Sequence, residues 1–275
     1  MVSTPHITLR NGVTMPQFGL GVFQVPANHT AAVVQAALDA GYRLIDTAQM
    51  YGNERQVGEG IARSDVPRED VFVTTKLAND LHGYDGAIAA LDESLNQLGT
   101  DYVDLYLIHW PWPQQGRYLE TWQAFEKVAA DGRARAIGVS NFQPQHLDRL
   151  AADSNTVPAV NQIELHPAFQ QAELRTYHAT HGIATEAWSP IAQGKVLGEP
   201  VITELAERHG RSPAQIVLRW HIQLGNIVFP KSATPSRIAE NIDIFDFALS
   251  DADMTAIGRL DRGMRTGPDP ARFPG

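Results

Sequence analysis

The 275-residue sequence contains no cysteine. Disulfides, thiolate zinc sites, cysteine-ligated iron–sulfur clusters and a cysteine nucleophile are therefore excluded. Lysine is scarce as well, with only Lys76, Lys127, Lys195 and Lys231. No apolar run approaches the ~18 residues that a membrane-spanning helix requires. The N-terminus lacks a basic stretch leading into an apolar segment, so a secretory leader is not expected and the chain reads as cytoplasmic. Basic charge is outnumbered, with 22 Lys plus Arg against 31 Asp plus Glu and a net charge of −9. That balance argues against a nucleic-acid partner, which calls for a basic footprint. Neither a low-complexity segment nor a Pro/Gly/Ser-rich linker divides the chain. At 43% hydrophobic and 19% charged residues it reads as a globular protein, a single domain over 1–275.

What is present is a recurring unit: a short β-branched apolar run, a polar turn, then a helix-period stretch. Residues 7–15 read first as a hairpin around Asn11-Gly12. Buried strands are expected at 19–23, 43–47, 71–76, 103–109, 136–140, 159–164, 184–188 and 227–231. Amphipathic helices are expected between them at 30–40, 53–63, 84–98, 118–131, 144–152, 171–181 and 212–224. Such alternation calls for right-handed crossovers between parallel strands, and eight units in this length predict an α/β (β/α)8 TIM barrel with an N-terminal β-hairpin. An open doubly wound sheet competes, but the Gly-x-Gly-x-x-Gly fingerprint is missing, because Gly19-Leu-Gly21 continues as Val-Phe-Gln.

A barrel should carry its functional groups at the C-terminal strand ends, and polar residues do cluster there. Asp46, Lys76, His109, Ser140, Asn141, Gln162, Glu164, Trp188, Ser189, Lys231 and Ser232 form the expected ring. Asp46, Tyr51, Lys76 and His109 come from three consecutive units. A phenol with a pKa near 10 is a poor acid at neutral pH, and an ammonium beside it should lower that value. A carboxylate can hold the lysine and an imidazole can hydrogen-bond a carbonyl oxygen, so the set suits general acid–base work at a carbonyl. Each residue alone fits a blander role, with Asp46–Lys76 a structural ion pair and Tyr51 a packing residue. After the last strand, Thr234 is an expected N-cap and Pro235 the first helical residue. Arg237 then falls in a first turn where the helix dipole disfavours a cation. Together with Lys231, Ser232 and Thr234 it points to a bound phosphate monoester, although an Arg237–Glu240 ion pair is the plain alternative.

On these residues the sequence resembles the aldo-keto reductase superfamily. The matching stretches are Gly41-Tyr-Arg-Leu-Ile-Asp46-Thr-Ala with Tyr51-Gly-Asn-Glu54, Leu91-Asp-Glu-Ser-Leu-Asn-Gln-Leu-Gly-Thr-Asp-Tyr-Val-Asp-Leu-Tyr-Leu-Ile-His109-Trp-Pro, Gly138-Val-Ser-Asn141-Phe, Asn161-Gln-Ile-Glu-Leu-His-Pro167 and Ile227-Val-Phe-Pro-Lys-Ser-Ala-Thr-Pro-Ser-Arg-Ile-Ala-Glu-Asn241. They occur in order across essentially the whole chain, and their flavour is similar to the bacterial 2,5-diketo-D-gluconate reductases. The resemblance implies a catalytic tetrad of Asp46, Tyr51, Lys76 and His109, with Tyr51 donating a proton while NADPH supplies hydride to a small-molecule carbonyl. It implies that Ser140, Asn141 and Gln162 bind the nicotinamide carboxamide and that Trp188 stacks on its ring. Ser189, Ile191 and Gln193 would lie along the pyrophosphate. Lys231, Ser232, Thr234 and Arg237 would hold the 2′-phosphate, with Glu240 and Asn241 at the adenine. A monomer is the expected state.

Three departures stand out. Leu44 replaces a frequent His, Ala78 a frequent Trp of the substrate pocket, and Ala192 a frequent Gly. Phe23, Met50, Ala78, Trp110 and Trp112 are the candidate pocket residues, and Ala78 with the short tail after residue 262 predicts an open site. His178 and His181 lack a third ligand, so no metal is expected. Asp101, Asp104, Asp251 and Asp253 read as turn and helix-start carboxylates. A non-catalytic NADPH-binding or structural protein on the same scaffold is the alternative function.

Overall fold

The computed structural model describes residues 4–154 and 156–273. Strands β1 (His6–Thr8) and β2 (Thr14–Pro16) form the antiparallel hairpin, closed by the Leu9 N–H to Val13 carbonyl bond at 2.8 Å. Eight parallel strands follow in sequential order: β3 (Leu20–Gly21), β4 (Leu44–Asp46), β5 (Phe72–Leu77), β6 (Val103–Ile108), β7 (Ala134–Ser140), β8 (Val160–Glu164), β9 (Ala184–Trp188) and β10 (Ile227–Val228). The sheet closes on itself. Gly19 N–H donates to the Val228 carbonyl at 2.8 Å, Val228 N–H donates to the Gln17 carbonyl at 3.0 Å, and bridges join Phe18 to Val228 and Gly21 to Lys231. This closure requires glycine: a Cβ at Gly21 would sit 2.7 Å from the Phe229 carbonyl oxygen. β3 and β10 are shorter than the sequence predicts, and Pro230, which has no N–H, interrupts the ladder between the two bridges.

Period-two alternation places the site. Leu44 and Asp46 share one strand face, as do Phe72, Thr74 and Lys76; Leu105, Leu107 and His109; Val160, Gln162 and Glu164; and Ala184, Glu186 and Trp188. At the N-terminal end these faces are apolar. There Leu44, Phe72, Leu105, Leu107, Ala136, Val160 and Ile227 pack with hairpin residues Leu9 and Met15, which stop that mouth of the barrel. At the C-terminal end the same faces turn polar, which confines the chemistry to one mouth.

The helices are α1 (Ala27–Asp39), α2 (Glu54–Arg63), α3 (Tyr84–Leu98), α4 (Tyr118–Ala130), α5 (Pro144–Asp153), α6 (Ala172–His181), α7 (Pro200–His209), α8 (Pro213–Gln223), α9 (Pro235–Ile242) and α10 (Asp251–Gly258). They cover the outer strand faces with a second, larger core that includes Val34, Leu38, Leu91, Trp122, Phe125 and Trp220. Neither α7 nor α10 is among the helices expected from periodicity. Both carry terminal signals, Pro200 at the first position and left-handed Gly210 past the end of α7, and a Ser250–Asp253 capping box on α10. Asp104 is no turn residue: it is buried on β6, where its carboxylate accepts from Arg68, Arg135 and the Val73 N–H. Among the described residues no helix is long and apolar enough to cross a membrane.

Candidate active site at the C-terminal mouth of the barrel

Lys76 is the penultimate residue of β5 and its side chain is fully buried. Its ammonium donates to Asp46 Oδ1 at 2.7 Å, to the Thr47 carbonyl at 2.8 Å and to the Tyr51 hydroxyl at 3.3 Å. Three acceptors match the three N–H bonds of an ammonium, so the cation is fully satisfied. The other Asp46 oxygen, Oδ2, accepts from Gln162 Nε2 at 2.8 Å. Tyr51 closes a short 3-10 turn (Gln49–Tyr51) that ends at left-handed Gly52, φ 65°. Gln49 pins that turn by donating to the Ala90 carbonyl and accepting from the Ala78 N–H, while Asn53 Nδ2 donates to the Val22 carbonyl. The phenol is thus carried on a rigid loop. His109 presents its ring edge-on to Tyr51, with centroids 5.9 Å apart, and its Nδ1 is buried without a partner among the described residues.

The electrostatics sharpen and partly correct the sequence reading. Burial pushes the Tyr51 phenol above its ordinary value, and the nearby Lys76 only partly pulls it back. The Tyr51 phenol therefore keeps its proton at pH 7 and is not a phenolate. Burial would lower Lys76, but Asp46 and Tyr51 reverse that and hold it above its usual value as a firm cation. Burial likewise raises the Asp46 carboxyl, opposed by the charge and hydrogen bond of Lys76 and by Gln162. Burial and the Lys76 charge hold His109 well below its ordinary value, so its imidazole is neutral.

Beside the tetrad, Ser140 Oγ donates to the Gln162 backbone carbonyl at 2.8 Å. Asn141, at φ 64°, donates to Ser140 Oγ and to the His109 carbonyl, both at 3.0 Å, and accepts from the Trp188 indole at 2.8 Å. Ser140, Asn141, Gln162 and Trp188 are therefore one hydrogen-bonded unit. Trp188 is half-buried. The loop after it places Ser189, Ala192 and Gln193 at φ 50°, 50° and 55°, with Ile191 between. Ala192 thus holds a side chain in the left-handed region, which disfavours a Cβ. At the far end Lys231, Thr234 and Arg237 are exposed and Ser232 is buried. Neither Lys231 nor Arg237 forms an ion pair among the described residues, which leaves the Arg237–Glu240 alternative without support. Thr234 precedes α9 but its side chain does not cap it; instead its N–H donates to Ser232 Oγ at 3.2 Å. Glu240 is exposed on α9 and Asn241 is turned inward.

Among the apolar candidates, Phe23 lies 5.0 Å from the Tyr51 ring and Trp110 lies 6.5 Å from His109 and 6.4 Å from Trp188. Met50 is exposed beside Tyr51, and Ala78 is buried. Trp112, half-buried at φ 38°, makes no ring contact with these residues. Two features escaped the sequence. The tail crosses the mouth: Phe273 packs on Trp110 at 4.5 Å, Thr266 and Gly267 donate to the buried Glu164 carboxylate, and a Cβ at Gly267 would strike the Trp188 indole. The short tail therefore covers part of the site instead of leaving it open. The second feature is Glu186, buried on β9, whose Oε2 accepts from Gln162 Nε2 at 3.1 Å. Its place on the inward face with Trp188 and Ala184 was readable from strand parity.

Residues 15–262 match the model of the Aldo/keto reductase family. The chain belongs to the Aldo/keto reductase family. It is 54% identical to a morphine 6-dehydrogenase of Pseudomonas putida, covering 97% of this chain and 95% of that one. It is 51% identical to a glyoxal reductase of Bacillus subtilis, covering 96% and 95%. Among solved structures it is similar to a mutant of Gox0644 in complex with NADPH, with a TM-score of 0.95, 48% identity and coverage of 98% and 99%. Among the described residues no group of three or more His, Asp or Glu is arranged so that it could hold a metal ion. His178 serves packing, bonded to Asn161 and Thr185.

Proposed function

We propose that this aldo-keto reductase catalyses the NADPH-dependent reduction of aldehydes, ketones or dicarbonyls to alcohols, with Tyr51 as proton donor. The observation that carries the reading is the buried Lys76 ammonium touching both Asp46 and Tyr51 at the barrel mouth. The residues present fit the cofactor. Among the described residues the side-chain carbonyl oxygen of Gln162 accepts no bond, and Lys231 and Arg237, exposed near the N-terminus of α9, form no ion pair. Ser140, Asn141 and Gln162 would hold the carboxamide and Trp188 the ring. Ser189, Ile191 and Gln193 would hold the pyrophosphate, Lys231, Ser232, Thr234 and Arg237 the 2′-phosphate, and Glu240 and Asn241 the adenine. When bound, NADPH supplies the hydride that reaches the carbonyl carbon.

The chain's own groups do the rest. His109, neutral, donates an N–H to the carbonyl oxygen and orients it. Tyr51 passes its hydroxyl proton to that oxygen as negative charge develops there. The phenolate left behind sits 3.3 Å from the Lys76 ammonium, which stabilises it until a proton returns from solvent. Asp46 keeps that ammonium in place. Trp110, Trp188 and Phe273 limit water at the reacting atoms. Phe23, Met50, Ala78, Trp110 and Trp112 would surround the substrate, and relatives named for glyoxal and for morphine support a pocket that tolerates substrates of very different size. The protein is proposed to act as a cytoplasmic monomer. Mixing it with NADPH and a panel of aldehydes, ketones and dicarbonyls should bleach the reduced-nicotinamide absorbance with at least one of them. Binding of NADPH without oxidation by any carbonyl would leave a non-catalytic barrel.

A further inference from the structure

Gln162 has one amide nitrogen with two hydrogens, and both are committed to carboxyl oxygens. One goes to Asp46 Oδ2 at 2.8 Å and the other to Glu186 Oε2 at 3.1 Å. Two acceptors on the nitrogen side fix the rotation of the amide and leave its carbonyl oxygen as the group free for a ligand. Glu186 is fully buried, and its second oxygen, Oε1, has no partner among the described residues. A carboxyl group in such a place is costly, and packing alone would be better served by Leu or Met.

We propose that Glu186 is a positioning residue of the active site: through Gln162 it fixes the Asp46 carboxylate that anchors Lys76 and holds the side-chain carbonyl oxygen of Gln162 in place for the carboxamide of the nicotinamide. The inference rests on the reductase reading above.

The groups around Glu186 are Gln162 in register on β8, the apolar Ile227 in register on β10, and Asp46, Lys76 and Tyr51 across the mouth. Burial, and then the Asp46 charge, push the Glu186 carboxyl up to about 8. Glu186 is consequently neutral at pH 7 beside an ionised Asp46, and it acquires charge in the alkaline range. That charge raises the Tyr51 phenol further. Removing it should let Tyr51 ionise at lower pH, which moves the alkaline limb of the rate profile to lower pH.

The test compares wild type with Glu186→Gln and Glu186→Leu in three measurements: NADPH affinity by fluorescence titration, turnover against pH, and thermal melting. The glutamine keeps an oxygen able to accept from Gln162, so Glu186→Gln should bind NADPH within about threefold of wild type. Glu186→Leu removes that acceptor and should weaken NADPH about tenfold, the scale of one hydrogen bond. In both variants the alkaline limb should move to lower pH. Wild-type affinity in Glu186→Leu, or equal loss in both variants with an unmoved pH profile, would overturn the positioning role. If wild type binds NADPH but reduces no carbonyl, it is the reductase reading that fails, and the affinity ranking still tests Glu186.

Discussion

Replacing Asp46 by Asn tests the electrostatic centre of the site. The substitution conserves shape but leaves the fully buried Lys76 ammonium without its counter-charge, 2.7 Å away in the native protein. It also sets an amide nitrogen against Gln162 Nε2, two donors facing each other. Breaking a buried pair from one side costs about 3–5 kcal/mol. The cost has a ceiling, because the lysine can surrender its proton. Holding a lysine neutral at pH 7 against an ordinary value near 10.4 costs about 4.6 kcal/mol. The variant should thus lose about 3–5 kcal/mol at pH 7 by urea denaturation, or roughly 6–10 °C in Tm for a chain of this size. Turnover should fall with it, since the phenol loses its cationic neighbour. In the variant the folded lysine value is depressed below the unfolded one, so the unfolded state binds the extra proton and the stability gap to wild type should narrow from pH 7 towards 10. A loss under about 1 kcal/mol, or a gap that does not change with pH, would refute the account of a buried ion pair under tension with solvation.

Arg237→Ala should weaken NADPH by about tenfold or more while changing NADH binding little, read by fluorescence titration with both cofactors; an equal loss for both would place the 2′-phosphate elsewhere. Acid stability is set by buried histidines. Burial holds His82 and His178 down to about 4 and His221 to about 3. Asn161 donates to His178 Nε2, so Nδ1–H donates to Thr185 and no lone pair is left for another proton. These folded-state values lie below the unfolded value near 6.5, so their contribution is full above pH 6.5 and is lost as pH falls towards 4. Denaturation curves at pH 7, 6, 5 and 4 should show a loss of several kcal/mol across that window, and a flat profile would show that these side chains are not buried neutral.

Much of the site was legible because barrels translate strand position into place. Alternation put Asp46, Lys76, His109, Ser140 and Gln162 on inward faces at one mouth, and no long-range information was needed. Glu186 obeys the same parity, yet it lies in Ala184-Thr-Glu-Ala-Trp188, where a single acid in an apolar run carries no local mark of its partner. Gln162 reaches it only because β8 and β9 pair in register. Phe273 was beyond reach for a different reason. Its contact with Trp110 depends on where the tail is tied, by Glu164 to Thr266 and Gly267 and by Ala168 to Met264, and such ties have no periodic signature. The direction of the Tyr51 shift was misjudged because spacing reveals the ammonium but not the burial that outweighs it.

The central claim is that Tyr51 gives its proton to the carbonyl oxygen, and Tyr51→Phe with a carbonyl that wild type reduces tests it most directly. The substitution removes one hydroxyl oxygen and keeps the ring that packs on Phe23 and His109. The account predicts turnover reduced by about a hundredfold or more with NADPH affinity within about twofold of wild type. Undiminished turnover in that variant would contradict it.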